Sequence, residues 1–176
     1  MLFTNAAVAS QIDYETDDEP QVPYVTAQAT DLGWIWKTPV RDRIGSGLCY
    51  NSDLTTKQEA EDHFVQHWGE HRLRTGKFNH IPFEPKYNRK NWRGNCFSVG
   101  LASGFIEPLE STGLALIIEG VRQLSSQIKD NTYNKKSAEL YNNIISQYFE
   151  SSIDFVGSHY TISDRDEPFW QEAKSH

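Results

Sequence analysis

The sequence predicts an α+β fold, a small antiparallel sheet accompanied by helices. Three observations predict it. Short alternating, aromatic-rich stretches crowd into residues 22–52. Two later stretches, one from Leu114 and one from Lys136, carry apolar residues at helical spacing. The length of 176 residues suits one ordinary domain with a real core and is short for two.

The elements follow in chain order. DYETDDEPQ (Asp13–Gln21) is acidic and lacks an apolar period, so it reads as an exposed loop. VPYVTAQATDLGWIWKTPV gives a strand near Val22–Ala29, a break at Asp31–Gly33 and a second strand from Trp34. RDRIGSG reads as a hairpin turn and LCYNS as a returning third strand, so residues 22–52 form three neighbouring antiparallel strands. Residues 55–75 open with threonines ahead of a glutamate, a helix-start pattern. FNHIPFEPKY is broken by Pro82 and Pro85 and can supply only an edge or irregular strand. Residues 92–113 read as a strand and a glycine-spaced loop, and residues 112–176 as a mainly helical region. Its first helix starts near Ser111, with Ser111 or Thr112 as N-cap and Leu114, Ile117, Ile118, Val121 and Leu124 as one buried face. A second helix is expected over Lys136–Phe155.

Composition narrows the function classes. A net charge of −7 and a pI near 5.3 argue against nucleic acid or an anionic membrane as the main partner. Cys49 and Cys96 make no metal spacing and point to reduced thiols in a cytoplasmic protein. The start, MLFTNAAVASQIDY, lacks the pattern of a secretory signal. The longest apolar run, Leu114–Ile118, is far below the roughly 20 residues of a membrane span. Five tryptophans in a small domain suit a planar ligand as well as core packing.

Candidate sites are few. GFIEPLESTGL places Glu110 beside a helix start whose free N–H groups attract an anion, and Gly113 leaves the backbone there open to a ligand. His63, His67 and His71 recur every four residues, but the outer two would lie about 12 Å apart, so no single metal ion is assigned to them. Glu107 and Glu110 are too close on one turn to suit the two faces of a sugar ring. Ser103, in GLASG, sits in no nucleophile elbow. Trp34 and Trp36, two apart on a strand, share one face.

GLASGFIEPLESTGL (Gly100–Leu114) closely resembles the flavin-dependent tryptophan halogenases. GWIWKTPV resembles that family's W-x-W-x-I-P element, with Thr38 in place of its isoleucine, and WRGNC (Trp92–Cys96) leads into the loop as it does there. The order of these elements and the aromatic tail extend the resemblance over nearly the whole chain. The family's opening GxGxxG unit and its early lysine have no counterpart here; Gly45–Ser46–Gly47 lies in the hairpin. The chain therefore looks like the C-terminal part of a flavoprotein-monooxygenase-like fold lacking its N-terminal nucleotide-binding unit.

The resemblance implies FAD, reduced by a separate flavin reductase, and chloride or bromide. It implies halogenation of an electron-rich aromatic, tryptophan or another indole, by hypohalous acid made from a flavin hydroperoxide. Glu110 and Ser111 would be catalytic, and Thr112 and Gly113 would hold the halide through their N–H groups. Gly100, Leu101 and Leu114 would border the flavin, with Trp34, Trp36 and Pro39 as its wall. Phe169 and Trp170 would pack on the substrate. A homodimer is compatible with this reading. With no seat for the adenosine and pyrophosphate, these residues alone are expected to be inactive. Two other classes stay open: a non-catalytic binding module or half of a split enzyme, and a flavin monooxygenase that does not halogenate.

Overall fold

The computed structural model describes residues 2–16, 19, 21–129 and 134–176; residues 17, 18 and 20 of the acidic segment lie outside the described residues. The chain forms two compact units, one of Phe3–Phe83 with Ser163–His176 and one of Glu84–Ile162 with Leu2.

The first unit is built on a five-stranded antiparallel sheet of β1 (Ala6–Ile12), β2 (Thr26–Thr30), β3 (Gly33–Val40), β4 (Arg43–Tyr50) and β5 (Asn79–Pro82), ordered β2-β3-β4-β1-β5. Two strands join the three expected between residues 22 and 52. β1, with the sequence AAVASQI, carries little β-branched or aromatic content, which is why pattern reading passes over it. β5 lies at the edge, where the missing N–H of Pro82 costs least. β2 pairs with β3 only from Gly33 to Lys37, so Pro39 lies beyond the reach of that ladder.

The β3–β4 hairpin turns at Arg41–Asp42, which corrects the placing of Gly45–Ser46–Gly47 in the turn: all three belong to β4. Glycine here answers a packing need. Trp36 is the cross-strand partner of Gly47, and a Cβ on Gly47 would come 2.2 Å from the indole and 2.6 Å from the Val8 carbonyl. Ser46 points the other way; its hydroxyl donates to the Trp36 carbonyl and accepts from the Trp68 indole N–H at 3.0 Å.

Helix α1 (Lys57–Trp68) covers that second face, where Ala60 and Phe64 pack on Val8, Ile12, Ile35, Ile44, Leu48 and Tyr50. Thr56 and Glu59 form a reciprocal capping box at its start. The helix stops at Gly69, whose φ of 83° ends the repeat, and a 3₁₀ turn over Glu70–Arg72 follows, so the helix is shorter than residues 55–75.

In the second unit two short hairpins, β6 (Lys86–Tyr87) with β9 (Gly104–Phe105) and β7 (Trp92–Arg93) with β8 (Cys96–Phe97), accompany α2 (Thr112–Lys129) and α3 (Lys135–Thr161). Trp92, Ile106, Tyr141, Ile145 and Phe149 form the core, joined by Leu116 and Leu124 of α2. The Asn142 amide accepts from the Trp92 backbone N–H at 2.7 Å and donates to the Trp92 carbonyl at 3.0 Å, standing in for a strand partner.

Of the face expected to be buried on α2, Leu124 packs inward and the other four residues do not. Leu114, Ile118 and Val121 are 64%, 67% and 50% exposed, and Ile117 is exposed as well. Within this unit α2 turns Leu116 and Gly120 inward beside Leu124, and the Tyr141 hydroxyl donates to the Gly120 carbonyl at 3.4 Å. Periodicity alone cannot say which side a neighbour will choose.

The C-terminal helix α4 (Pro168–Lys174) completes the sheet unit. Phe169 packs on Phe3 at 5.4 Å between ring centroids, and the Trp170 indole N–H donates to the Thr30 carbonyl at 2.7 Å.

Gly47→Ala is expected to destabilise the sheet unit by about 1–3 kcal/mol through overpacking against Trp36. Denaturant unfolding followed by tryptophan emission checks this; an unchanged midpoint would refute the packing argument.

Candidate functional site

The loop between β9 and α2 gathers most of the expected residues. Glu110 and Ser111 both adopt left-handed backbone angles, with φ of 58° and 53°. For residues with a Cβ that conformation costs of order 1 kcal/mol or more each and persists only where the surroundings enforce it. Helix α2 runs from Thr112, next to the expected start at Ser111, and the Thr112 hydroxyl donates back to the Leu109 carbonyl at 3.4 Å instead of capping the first turn.

Beside this turn lies a cleft of about 250 Å³ lined by Gly100, Leu101, Ser111, Gly113, Leu114 and Ile117, among others. A Cβ on Gly113 would meet nothing within 4 Å, so the backbone at the start of α2 stands open to the cleft. Leu101 is 81% exposed beside it. The cleft thus joins an apolar floor, suited to a flat ring, to N–H groups at the positive end of an 18-residue helix.

Glu110 is absent from the cleft lining. Its carboxylate is half exposed and lies 4.0 Å from Nε2 of His159, near the end of α3. Glu107 behaves oppositely. It is 1% exposed, and both carboxylate oxygens accept from the Tyr160 hydroxyl, at 2.9 and 3.0 Å. The loop's two carboxylates therefore meet two successive residues of α3. Sequence reading singled out neither His159 nor Tyr160, because they belong to no motif and their part in the loop comes only from helix packing.

Ser103 is buried, its hydroxyl engaged with Asn91 Oδ1 at 2.8 Å and the Ser98 carbonyl at 2.9 Å, which gives it a structural role at the base of the loop.

The remaining expected residues belong to the sheet unit. Trp34 and Trp36 share the face opposite α1, their rings 6.1 Å apart and tilted by 58°, with Pro39 further along the same strand. Phe169 and Trp170 are 3% and 4% exposed, so both rings are engaged in internal packing. His63 and His67 line a polar cleft of about 290 Å³ with Asp31 and Arg165. Burial and the neighbouring His63 push the His67 imidazole below its ordinary pKa. Among the described residues no group of three or more His, Cys, Asp or Glu could hold a metal ion, and no helix is long and apolar enough to cross a membrane.

Tyr160→Phe removes the hydroxyl that both Glu107 oxygens accept from, and is expected to cost about 1–3 kcal/mol. Amide hydrogen exchange should quicken at Leu109–Thr112 beyond any global change; uniform exchange would show that the anchor does not shape the turn.

Comparison with known proteins agrees over the whole chain. The sequence profile of the tryptophan halogenase family matches residues 1–176. The tryptophan 6-halogenase ThaL of Streptomyces albogriseolus is 38% identical over 174 residues, which are 98% of this chain and 33% of that protein. The tryptophan 7-halogenase RebH of Lentzea aerocolonigenes is 36% identical, with the same coverage of 98% and 33%. Among solved structures, Tar14, a tryptophan C-6 flavin-dependent halogenase (chlorinase) from taromycin biosynthesis, superposes with a TM-score of 0.89 at 34% identity, covering 99% of this chain and 35% of that one. The chain thus spans about a third of the length of the relatives it matches. With the GLASGFIEPLESTGL loop, its cleft and a family match over every residue, the chain belongs to the tryptophan halogenase family.

Proposed function

We propose that this chain supplies the halide-binding and acid–base part of an FAD-dependent halogenase acting on an electron-rich aromatic, tryptophan or another indole. One observation carries the reading: a single loop sets a helix N-terminus and an apolar cleft on one side and turns the Glu110 carboxylate toward His159. Relatives named as tryptophan 6- and 7-halogenases and as a chlorinase support it.

The residues present fit a flavin ring. Gly100, Leu101 and Leu114 would border its flat face, and the bare backbone at Gly113 admits it closely. When bound, reduced FAD from a separate flavin reductase would activate molecular oxygen, the oxidant that turns chloride or bromide into hypohalous acid. The Thr112 and Gly113 N–H groups would hold the halide at the positive end of α2, with Ser111 between the flavin and halogenation sites. Glu110 would orient the halogenating species and take the ring proton that halogen replaces. By the family resemblance, Trp34, Trp36 and Pro39 would wall the flavin off from substrate, and Phe169 and Trp170 would pack on the substrate.

Half of a split enzyme, or a binding module, is the second reading. It is favoured by the exposed stripe of Leu101, Leu114, Ile118 and Val121. On that reading the isolated chain binds ANS strongly and loses that signal when a separate nucleotide-binding polypeptide is added; weak ANS binding from the start would count against it.

Glu110→Gln in the halogenating enzyme is expected to lower turnover by about 10²–10⁴-fold while flavin affinity stays nearly unchanged. Product mass spectrometry with FAD, reductase, chloride and tryptophan measures it. Halogenation at the normal rate by Glu110→Gln would remove Glu110 from the mechanism. Aromatic oxidation that persists without halide would identify a monooxygenase instead.

A further inference from the structure

We propose that His159 is the group that receives the proton of Glu110 after each turnover. The proposal rests on the reading of Glu110 as the acid–base carboxylate.

The geometry defines the imidazole's polarity. Nδ1 of His159 lies 3.0 Å from the Phe155 carbonyl, one turn back on the same helix. A carbonyl only accepts, so Nδ1 must donate, and in the neutral ring Nε2 carries the lone pair. That lone pair is the atom near Glu110, 4.0 Å from its Oε1. The Phe155 ring meets the imidazole edge-on at 5.0 Å and fixes its orientation from the other side. Among the described residues, Glu110 is the carboxylate within ion-pair reach of His159.

A carboxylate that has taken a ring proton is spent until it loses that proton. Glu110 protonated on Oε1 transfers it to Nε2: the O–H bond breaks, the N–H bond forms, and a carboxylate and an imidazolium result. His159, 35% exposed, then releases the proton to water and returns to its Nδ1–H form. The gap of 4.0 Å closes by side-chain rotation of the half-exposed Glu110, as acid–base pairs commonly tighten only in the working complex. The neighbouring Tyr160 holds Glu107, so α3 anchors the loop with one residue and serves its carboxylate with the next.

The test begins with the 176-residue chain itself. Long-range ¹H–¹⁵N spectra at neutral pH, with the His159 signal assigned by its loss in His159→Phe, should report the Nδ1–H tautomer. An Nε2–H tautomer would overturn the proposal, since Nε2 could then accept nothing. In the halogenating enzyme, His159→Phe keeps a ring beside Phe155 and should lower kcat about tenfold or more with KM for the aromatic unchanged. Added imidazole should restore the rate, which a structural defect would not allow. An unchanged kcat, or a loss that imidazole does not rescue, also overturns it. Absence of halogenation by the unaltered enzyme would instead sink the functional reading, a result separate from the tautomer.

Discussion

Glu107 constrains everything around it. A carboxylate withdrawn from water is costly unless hydrogen-bonded, and here the Tyr160 hydroxyl meets both oxygens. That anchor fixes the chain just before Pro108, and the path from there to the first turn of α2 is short. Two successive residues, Glu110 and Ser111, make it in left-handed backbone angles that neither would choose freely. The strain has a geometric product: α2 opens its N-terminus to the cleft while the Glu110 side chain leaves in another direction. On the proposed reading, halide and acid–base chemistry would then be served from adjacent positions without the carboxylate repelling the anion.

The loop was legible in the sequence because its chemistry is written in residue types that few other structures require together. A proline, a glutamate, two hydroxyls and a glycine ahead of an apolar period specify a helix start with an open backbone. The family followed from the same fifteen residues. What was not legible depended on contacts across the fold. Glu107 and Glu110 look alike in sequence, yet one is buried and the other half exposed because α3 brings Tyr160 to the first and His159 to the second. No local pattern encodes that.

The misread strand residues make the same point. Gly45–Ser46–Gly47 looks like a turn because glycine and serine usually punctuate chains. In β4 Ser46 hydrogen-bonds to Trp36 and Trp68, and the indole of Trp36 lies over Gly47. Likewise the stripe from Leu114 to Val121 is a true helical period, and its spacing carries no information about which flank α3 will occupy. Period identifies an element; only packing chooses its inward side.

The sheet unit is discontinuous along the chain, and this bears on the order of biosynthesis. Phe3–Phe83 leave the ribosome well before Ser163–His176. Until the later segment emerges, Phe3 lacks Phe169 and the Thr30 carbonyl lacks the Trp170 indole, 140 residues downstream. A nascent sheet must therefore wait, incomplete, while the whole helical unit is translated. Long-range closure of that kind slows folding and lengthens the exposure of unfinished surface. Loss of Ser163–His176 would injure a sheet whose strands were made long before them.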